Sequence, residues 1–219
     1  LMTGNHEVRF AAAQRGREVR RFLSELAKKH NISLVGGSIP LASTAGKVTN
    51  SCLMYGADGG FLARYDKIHL FDVDVGGGES YQESARTDAG SQPVLVSVPN
   101  TQVGLTICYD MRFPELFRTL SERGAEVFTV PSAFTVPTGQ AHWHVLLRCR
   151  AIENLAWIIA PAQVGCHPGG RETFGHSLII DPWGEVVAEQ TEPTPQVGLA
   201  DIDLQSGRDK RRQIGRAHG

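Results

Sequence analysis

The sequence has no apolar run that approaches the about eighteen residues that a membrane-spanning helix needs. It also lacks the charged, apolar and small-residue pattern of a secretory signal at its start. Neither sign of charge dominates, because 22 Lys and Arg stand against 23 Asp and Glu, for a formal net charge of −1. We therefore expect a cytoplasmic protein, with neither nucleic acid nor a membrane as its partner.

Metal and disulfide motifs are also missing. The four cysteines are widely spaced and form no CxxC pair, and there is no HExxH motif. A chain of 219 residues with 41% apolar content can bury a core without disulfide bonds. We therefore expect free thiols and no zinc site.

The order of the predicted elements indicates the class of fold. The sequence contains no linker rich in Pro and Ser and no low-complexity segment, so we expect one domain over residues 1–219. Helical patterns over residues 7–29, 114–124 and 139–154 alternate with apolar strands. Hairpin turns are predicted at Asp58-Gly59, Pro99-Asn100 and Pro182-Trp183-Gly184, and VGLADIDL is predicted as the last strand. This mixture predicts two mixed β-sheets packed face to face, with helices outside.

Cys108 occupies the end of the apolar strand in VGLTICYDMRFPELF, shortly before a helix predicted to begin at Pro114. A sulfur at such a turn is displayed at the rim of a sheet. The thiolate is the reactive form of cysteine, and a nearby cation or helix N-terminus favours it. The backbone N–H groups of the turn also suit an oxyanion on an attacked carbonyl. From position alone, a catalytic nucleophile and a buried structural thiol are equally good interpretations.

Lys67 lies at the end of a predicted strand in ARYDKIHLFD, among apolar neighbours. Lysines at strand ends usually extend to water, so the position by itself favours a structural role. A desolvated lysine beside a cysteine would, however, favour the thiolate and neutralise an oxyanion. Structural roles are also the preferred interpretation of His69, His142, His176, Cys149 and Cys166.

Three motifs follow one another along the chain: YDKIHLFD, CYDMRFPE and HWHVLLRCRAIEN. Together with GHSLIIDPWGEVVAE they resemble the carbon–nitrogen hydrolase (nitrilase) superfamily, specifically the Nit-like branch of deaminated glutathione amidase and omega-amidase. The resemblance runs from about Gly36 to Asp203. It implies a four-layer αββα sandwich, a Glu-Lys-Cys triad without a metal or organic cofactor, and a homodimer.

The resemblance assigns site residues position by position. Cys108 matches the family's nucleophile and Lys67 its catalytic lysine. The oxyanion hole would consist of Lys67 and the backbone N–H of Tyr109. Glu83 matches a second, supporting glutamate that hydrogen-bonds the lysine.

Substrate contacts are implied less directly. Arg112 either meets a substrate carboxylate or pairs with Glu115, and the pair is the preferred interpretation. Phe134 and Thr135 match a loop that lines the family's substrate pocket, although an aromatic residue after a strand more often belongs to the core.

The family's general-base glutamate, in a PE motif, precedes the part of the pattern that this sequence matches. The family's first strand and helix likewise have no counterpart here. Glu7 is the nearest acid, but it lies within a helical pattern and matches no catalytic motif. The sequence is either a fragment of a complete enzyme or a truncated paralogue without its base. The first interpretation is favoured, because loss of a central strand would expose two apolar sheet edges.

The leading hypothesis is therefore an amidase that acts on a small carboxylate-bearing amide through a cysteine thioester and releases ammonia. Two rivals remain open. One is a binding or scaffold protein that keeps the fold without the general base. The other is a redox-sensing thiol protein, for which the sequence identifies no resolving cysteine.

Overall fold

The computed structural model describes residue 13 and residues 15–43, 46–76, 79–168 and 170–214. Its first helix, α1, is Gly16–His30. The helix ends where the sequence predicts, because Asn31 adopts a left-handed φ of 52° that closes the last turn. Glu7 and the first part of the predicted helix lie outside the described residues.

The chain then forms an antiparallel sheet of three strands, β1 (Leu34–Ala42), β2 (Val48–Tyr55) and β3 (Phe61–Asp66). The turn between β2 and β3 contains the predicted Asp58-Gly59 pair, and Gly59 has a φ of 82°. A short antiparallel hairpin follows, made of β4 (Asp72–Gly76) and β5 (Glu79–Gln82). A 3-10 turn, Glu83–Ala85, ends this part of the chain.

The second half of the chain supplies a six-stranded sheet and three helices. Its elements are β6 (Val94–Val98), β7 (Thr101–Leu105), α2 (Pro114–Glu122), β8 (Val127–Thr129), α3 (Val136–Asn154), β9 (Trp157–Ala160), β10 (Val164–Cys166), β11 (Glu172–Phe174), β12 (Ser177–Ile180), β13 (Val186–Gln190) and α4 (Leu204–Ile214). The sheet order is β13-β12-β9-β8-β7-β6, while β10 and β11 form a separate two-stranded sheet. Strands β7, β8 and β9 are parallel because α2 and α3 cross over between them.

Alternation along β2 shows how the layers stack. Leu53 and Tyr55 pack in a cluster with Leu23 of α1, whereas Cys52 and Met54 belong to the main core. That core also contains residues of the six-stranded sheet, so the two sheets face each other. On the other side of the large sheet, the ring of Phe117 in α2 lies 5.0 Å from that of Phe128 in β8. The order helix, sheet, sheet, helix confirms the predicted sandwich.

The predicted C-terminal strand is wrong. Residues 191–203 form neither helix nor strand, and Val197 and Leu199 are 83% and 84% exposed. Helix α4 follows instead, and the Asp203 carboxylate accepts a hydrogen bond from the Ser206 N–H at 3.0 Å. The basic residues of this segment hold the helix to the rest of the fold, since Arg208 forms two hydrogen bonds to the Glu126 carboxylate.

The buried face of α3 follows the prediction only in part. Trp143 and Leu147 are fully buried as expected, but Ile152 is 47% exposed. Arg150 is buried in its place, and its guanidinium donates to the Met111 carbonyl at 2.8 Å. The spacing of apolar residues cannot predict that an arginine is buried, because its burial depends on hydrogen-bond partners elsewhere in the fold. No helix within the described ranges is long and apolar enough to span a bilayer.

Candidate active site

Cys108 is the first residue of a 3-10 turn, Cys108–Arg112, that follows β7. Its φ is 50°, a left-handed conformation that costs a residue other than glycine about 1–2 kcal/mol. Two hydrogen bonds brace the turn: the Ile107 N–H donates to Asp110 Oδ2 at 2.8 Å, and the Asp110 N–H donates to the Ile107 carbonyl at 3.1 Å. The fold therefore keeps the cysteine in a strained position at the end of a strand.

The Asp110 carboxylate links this turn to the segment that carries Lys67. Asp110 is fully buried, and its Oδ2 accepts a hydrogen bond from the Tyr65 hydroxyl at 2.7 Å. Its Oδ1 lies 3.1 Å from the backbone N and 2.8 Å from the Nδ1 of His69. His69 also stacks on the ring of Phe113, with 3.7 Å between ring centroids. His69 is thus a hydrogen-bonded structural histidine, as predicted.

Lys67 is buried beside a carboxylate. Its side chain is 3% exposed, and its Nζ lies 2.6 Å from Glu83 Oε2. The same oxygen accepts the Phe71 N–H at 2.8 Å, and Asn50 Nδ2 donates to the other oxygen at 3.3 Å. This arrangement holds the ammonium in one place and leaves it little contact with water.

The surroundings of Glu83 also set its protonation. Burial alone raises the pKa of this carboxyl group, but the charge of Lys67 and the hydrogen bonds from Lys67, Phe71 and Asn50 outweigh that effect. The net result is a pKa below the usual range for glutamate, so the carboxylate is ionised at neutral pH.

One cavity of about 590 Å³ brings most of the predicted site residues together. Six of the seven predicted site residues line this cavity: Lys67, Glu83, Cys108, Tyr109, Phe134 and Thr135. Phe134 is 6% exposed and its ring lies 5.0 Å from that of Trp143, so it belongs both to the core and to the cavity wall. Thr135 is buried at the start of α3, and its Oγ1 lies 2.7 Å from that of Thr138.

Arg112 is the predicted residue that does not line this cavity. Its Nη2 lies 3.2 Å from the Nδ1 of His142, and its guanidinium lies 5.8 Å from the ring centroids of Tyr109 and Phe134. The expected pair with Glu115 is not formed, and Glu115 is exposed at the start of α2. Arg112 therefore lies beside two aromatic residues of the cavity wall and is hydrogen-bonded to a histidine of α3.

Several polar residues of the cavity are missing from the sequence-based prediction. Asn50 is a polar residue in the largely buried strand β2. A polar side chain in such a position needs a hydrogen-bond partner, which here is Glu83. Arg86, Gln163 and Arg171 also line the cavity. They lie in loops or beside short strands, and no periodicity identifies them.

Comparisons with known proteins agree with this architecture. The carbon-nitrogen hydrolase family model matches residues 3–212. Deaminated glutathione amidase of Synechocystis sp. (strain PCC 6803 / GT-S) is 46% identical over 198 residues, which cover 89% of this chain and 72% of the relative. Omega-amidase NIT2 of Homo sapiens is 42% identical over 193 residues, with 88% and 69% covered.

A solved structure shows the same fold. The Caenorhabditis elegans NitFhit protein superposes with a TM-score of 0.88 at 40% identity, over 96% of this chain and 52% of that one. The chain therefore spans about half the length of that structure. The chain belongs to the carbon-nitrogen hydrolase family, a class of hydrolases that act on carbon-nitrogen bonds, and the resemblance inferred from its motifs is confirmed.

Asp110→Asn tests the link between the two segments. Both carboxylate oxygens of Asp110 accept hydrogen bonds. In the variant an NH₂ group replaces one oxygen and faces the donors that this oxygen binds, so we expect the free energy of unfolding to fall by about 3 kcal/mol. Urea denaturation measures this loss. Asp58→Asn is the matched control, because Asp58 is exposed in a turn, and its effect should stay within about 0.5 kcal/mol. Equal effects of the two substitutions would contradict the assigned role.

The lowered pKa of Glu83 predicts a pH-dependent stability difference. A carboxyl group with a depressed folded-state pKa stabilises the fold above its unfolded value of about 4.3, and this contribution disappears as the pH falls through the folded value. Glu83→Gln lacks the group. The difference in unfolding free energy between wild type and Glu83→Gln should therefore be largest near pH 7 and shrink below about pH 4. A difference that stays constant from pH 7 to pH 3 would rule out the depressed pKa.

Proposed function

We propose that this protein is an amidohydrolase that cleaves the C–N bond of a small carboxylate-bearing amide through a thioester on Cys108. One observation carries the proposal: a partly exposed cysteine in a strained turn and a buried, carboxylate-paired lysine line the same cavity. Family membership supports it, since the two relatives compared by sequence are named as amidases.

The proposed reaction has two steps. The Cys108 sulfur attacks the amide carbon, the thiol proton passes to the amide nitrogen, the C–N bond breaks, and ammonia leaves. Water then attacks the thioester carbon, the C–S bond breaks, and the carboxylic acid leaves with the thiol restored. Each step passes through a tetrahedral oxyanion, for which Lys67 Nζ and the Tyr109 N–H are the proposed donors. Electrostatic stabilisation by a fixed ammonium is strongest in a site with little water.

Glu83 is proposed as a positioning residue. Its carboxylate accepts hydrogen bonds from Lys67 and from the Phe71 N–H, so it fixes the lysine side chain and the loop that follows the lysine. We assign the proton-accepting step to no residue of this sequence, because the glutamate that the family resemblance implies for it has no matching position here.

The cavity suits a substrate with a negative charge. Arg86 and Arg171 line it in addition to Lys67, and Glu83 is the one acidic side chain among the described lining residues. The Arg171 guanidinium lies over the Tyr81 ring at 4.9 Å and donates to the Ala133 carbonyl, which fixes its position. Deaminated glutathione and omega-amides, named for the two relatives, are amides with carboxylates and are the proposed substrate class.

Phe134 and Thr135 are proposed to contact the substrate from the wall of the cavity, and Arg112 is proposed to act through the aromatic residues that it supports. One domain over residues 1–219 and a homodimer are also part of the proposal. The cytoplasmic location expected from the sequence stays a prediction.

Substitution of the two central residues tests the mechanism in the intact protein. Cys108→Ala should abolish ammonia release from the monoamide of a short dicarboxylic acid. Lys67→Ala should lower kcat/KM by about 10²–10³-fold, because it removes one oxyanion donor. Cys149→Ala is the control, since Cys149 is an exposed thiol on α3 away from the cavity, and it should leave the rate unchanged.

Activity that survives Cys108→Ala would overturn the thioester mechanism. A wild-type protein that binds the monoamide in the cavity but releases no ammonia would instead favour the binding or scaffold interpretation.

A further inference from the structure

Three potential metal ligands converge at a place that the proposed mechanism does not use. His144 lies on α3, His176 directly precedes β12, and Glu189 lies on β13. His144 Nε2 is 2.9 Å and His176 Nδ1 is 2.6 Å from the same oxygen, Glu189 Oε1. All three ligand atoms lie within 4.8 Å of one another. None of the three residues lines the 590 Å³ cavity.

The position of His176 is fixed by its backbone and its neighbours. Its φ is 58°, a left-handed conformation that is strained for a residue other than glycine. The buried Trp143 donates its indole N–H to the His176 carbonyl at 2.7 Å, and the Phe174 ring stacks on the imidazole with centroids 4.3 Å apart. Trp143 directly precedes His144, so one buried side chain anchors the backbone near both histidines.

The ligand set fits a borderline divalent ion. Two imidazole nitrogens and one carboxylate oxygen are donors that zinc accepts, at about 2.0–2.2 Å from the ion. The hydrogen-bonded atoms need only small side-chain rotations to separate around such an ion. The His144 and Glu189 side chains are 36% and 28% exposed, which leaves room for water as a further ligand.

We propose that His144, His176 and Glu189 bind a zinc ion that joins α3 to the hairpin of β12 and β13. The ligands are far apart in the sequence and form no local motif, which is why the expectation of no zinc site followed from the sequence. The site does not depend on the proposed amidase activity, because no cavity residue belongs to it. The alternative is a triad that is satisfied by its own hydrogen bonds.

Titration with Co²⁺, which reports its ligands by absorption, distinguishes the two. After dialysis against a chelator, the wild-type protein should bind one equivalent with visible d–d bands and no thiolate charge-transfer band, and Zn²⁺ should displace the cobalt. Glu189→Gln and His176→Ala should each weaken binding about tenfold or more. His30→Ala, an exposed histidine at the end of α1, is the control and should bind like wild type.

The proposal is overturned if wild type binds no cobalt, if Glu189→Gln binds as tightly as wild type, or if a thiolate band shows that a cysteine is a ligand. Glu189→Gln keeps the shape of the side chain, so it remains a valid test if His176→Ala fails to fold. As a second readout, Zn²⁺ should raise the Tm of wild type and of His30→Ala, but not that of Glu189→Gln.

Discussion

The buried carboxylate of Asp110 holds together two parts of the chain that are far apart in sequence. Tyr65 and His69 donate to it from one side, and the Ile107 N–H donates from the other. A buried carboxyl group is costly unless it is hydrogen-bonded, and this set of donors offsets that cost. The position of Lys67, between Tyr65 and His69, is therefore coupled to the position of Cys108.

A second buried charge completes the arrangement. Lys67 and Glu83 form a close pair in which each charge neutralises the other, and removal of either partner would leave an uncompensated charge in the interior. Asn50 and the Phe71 N–H fix the carboxylate, so the ammonium has one orientation. Together with the strained turn at Cys108, these contacts fix the residues that the proposed mechanism uses, and fixed donors are what electrostatic stabilisation of an oxyanion requires.

Sequence reasoning predicted the fold, and six of the seven residues that it proposed for the site line one cavity, for identifiable reasons. The motifs around Lys67 and Cys108 are continuous in sequence, and their elements follow from apolar periodicity and turn residues. The roles of Asn50 and Asp110 were not predicted, because they depend on contacts between segments that only the folded chain brings together. The strand predicted for VGLADIDL is wrong, because apolar residues alone do not provide a strand with a pairing partner.

Helix α4 and the cluster of His144, His176 and Glu189 both depend on contacts that a sequence does not reveal. No pattern in the sequence indicates a partner for Arg208, yet Glu126 pairs with it within the fold. The sequence favours a structural role for His176 and does not show that His144 and Glu189 lie beside it. In both cases the residues are far apart in the sequence, and only the folded chain shows that they are in contact.

The proposed mechanism requires Cys108 to react faster than the other thiols of the folded protein. Peptide-resolved mass spectrometry after brief exposure of the native protein to iodoacetamide tests it most directly. Cys149 and Cys166 are exposed, whereas Cys108 is only partly exposed and burial raises the pKa of Cys52 to about 12. Accessibility alone would therefore label Cys149 and Cys166 first. Our account predicts that Cys108 is labelled first, and preferential labelling of Cys149 and Cys166 would contradict it.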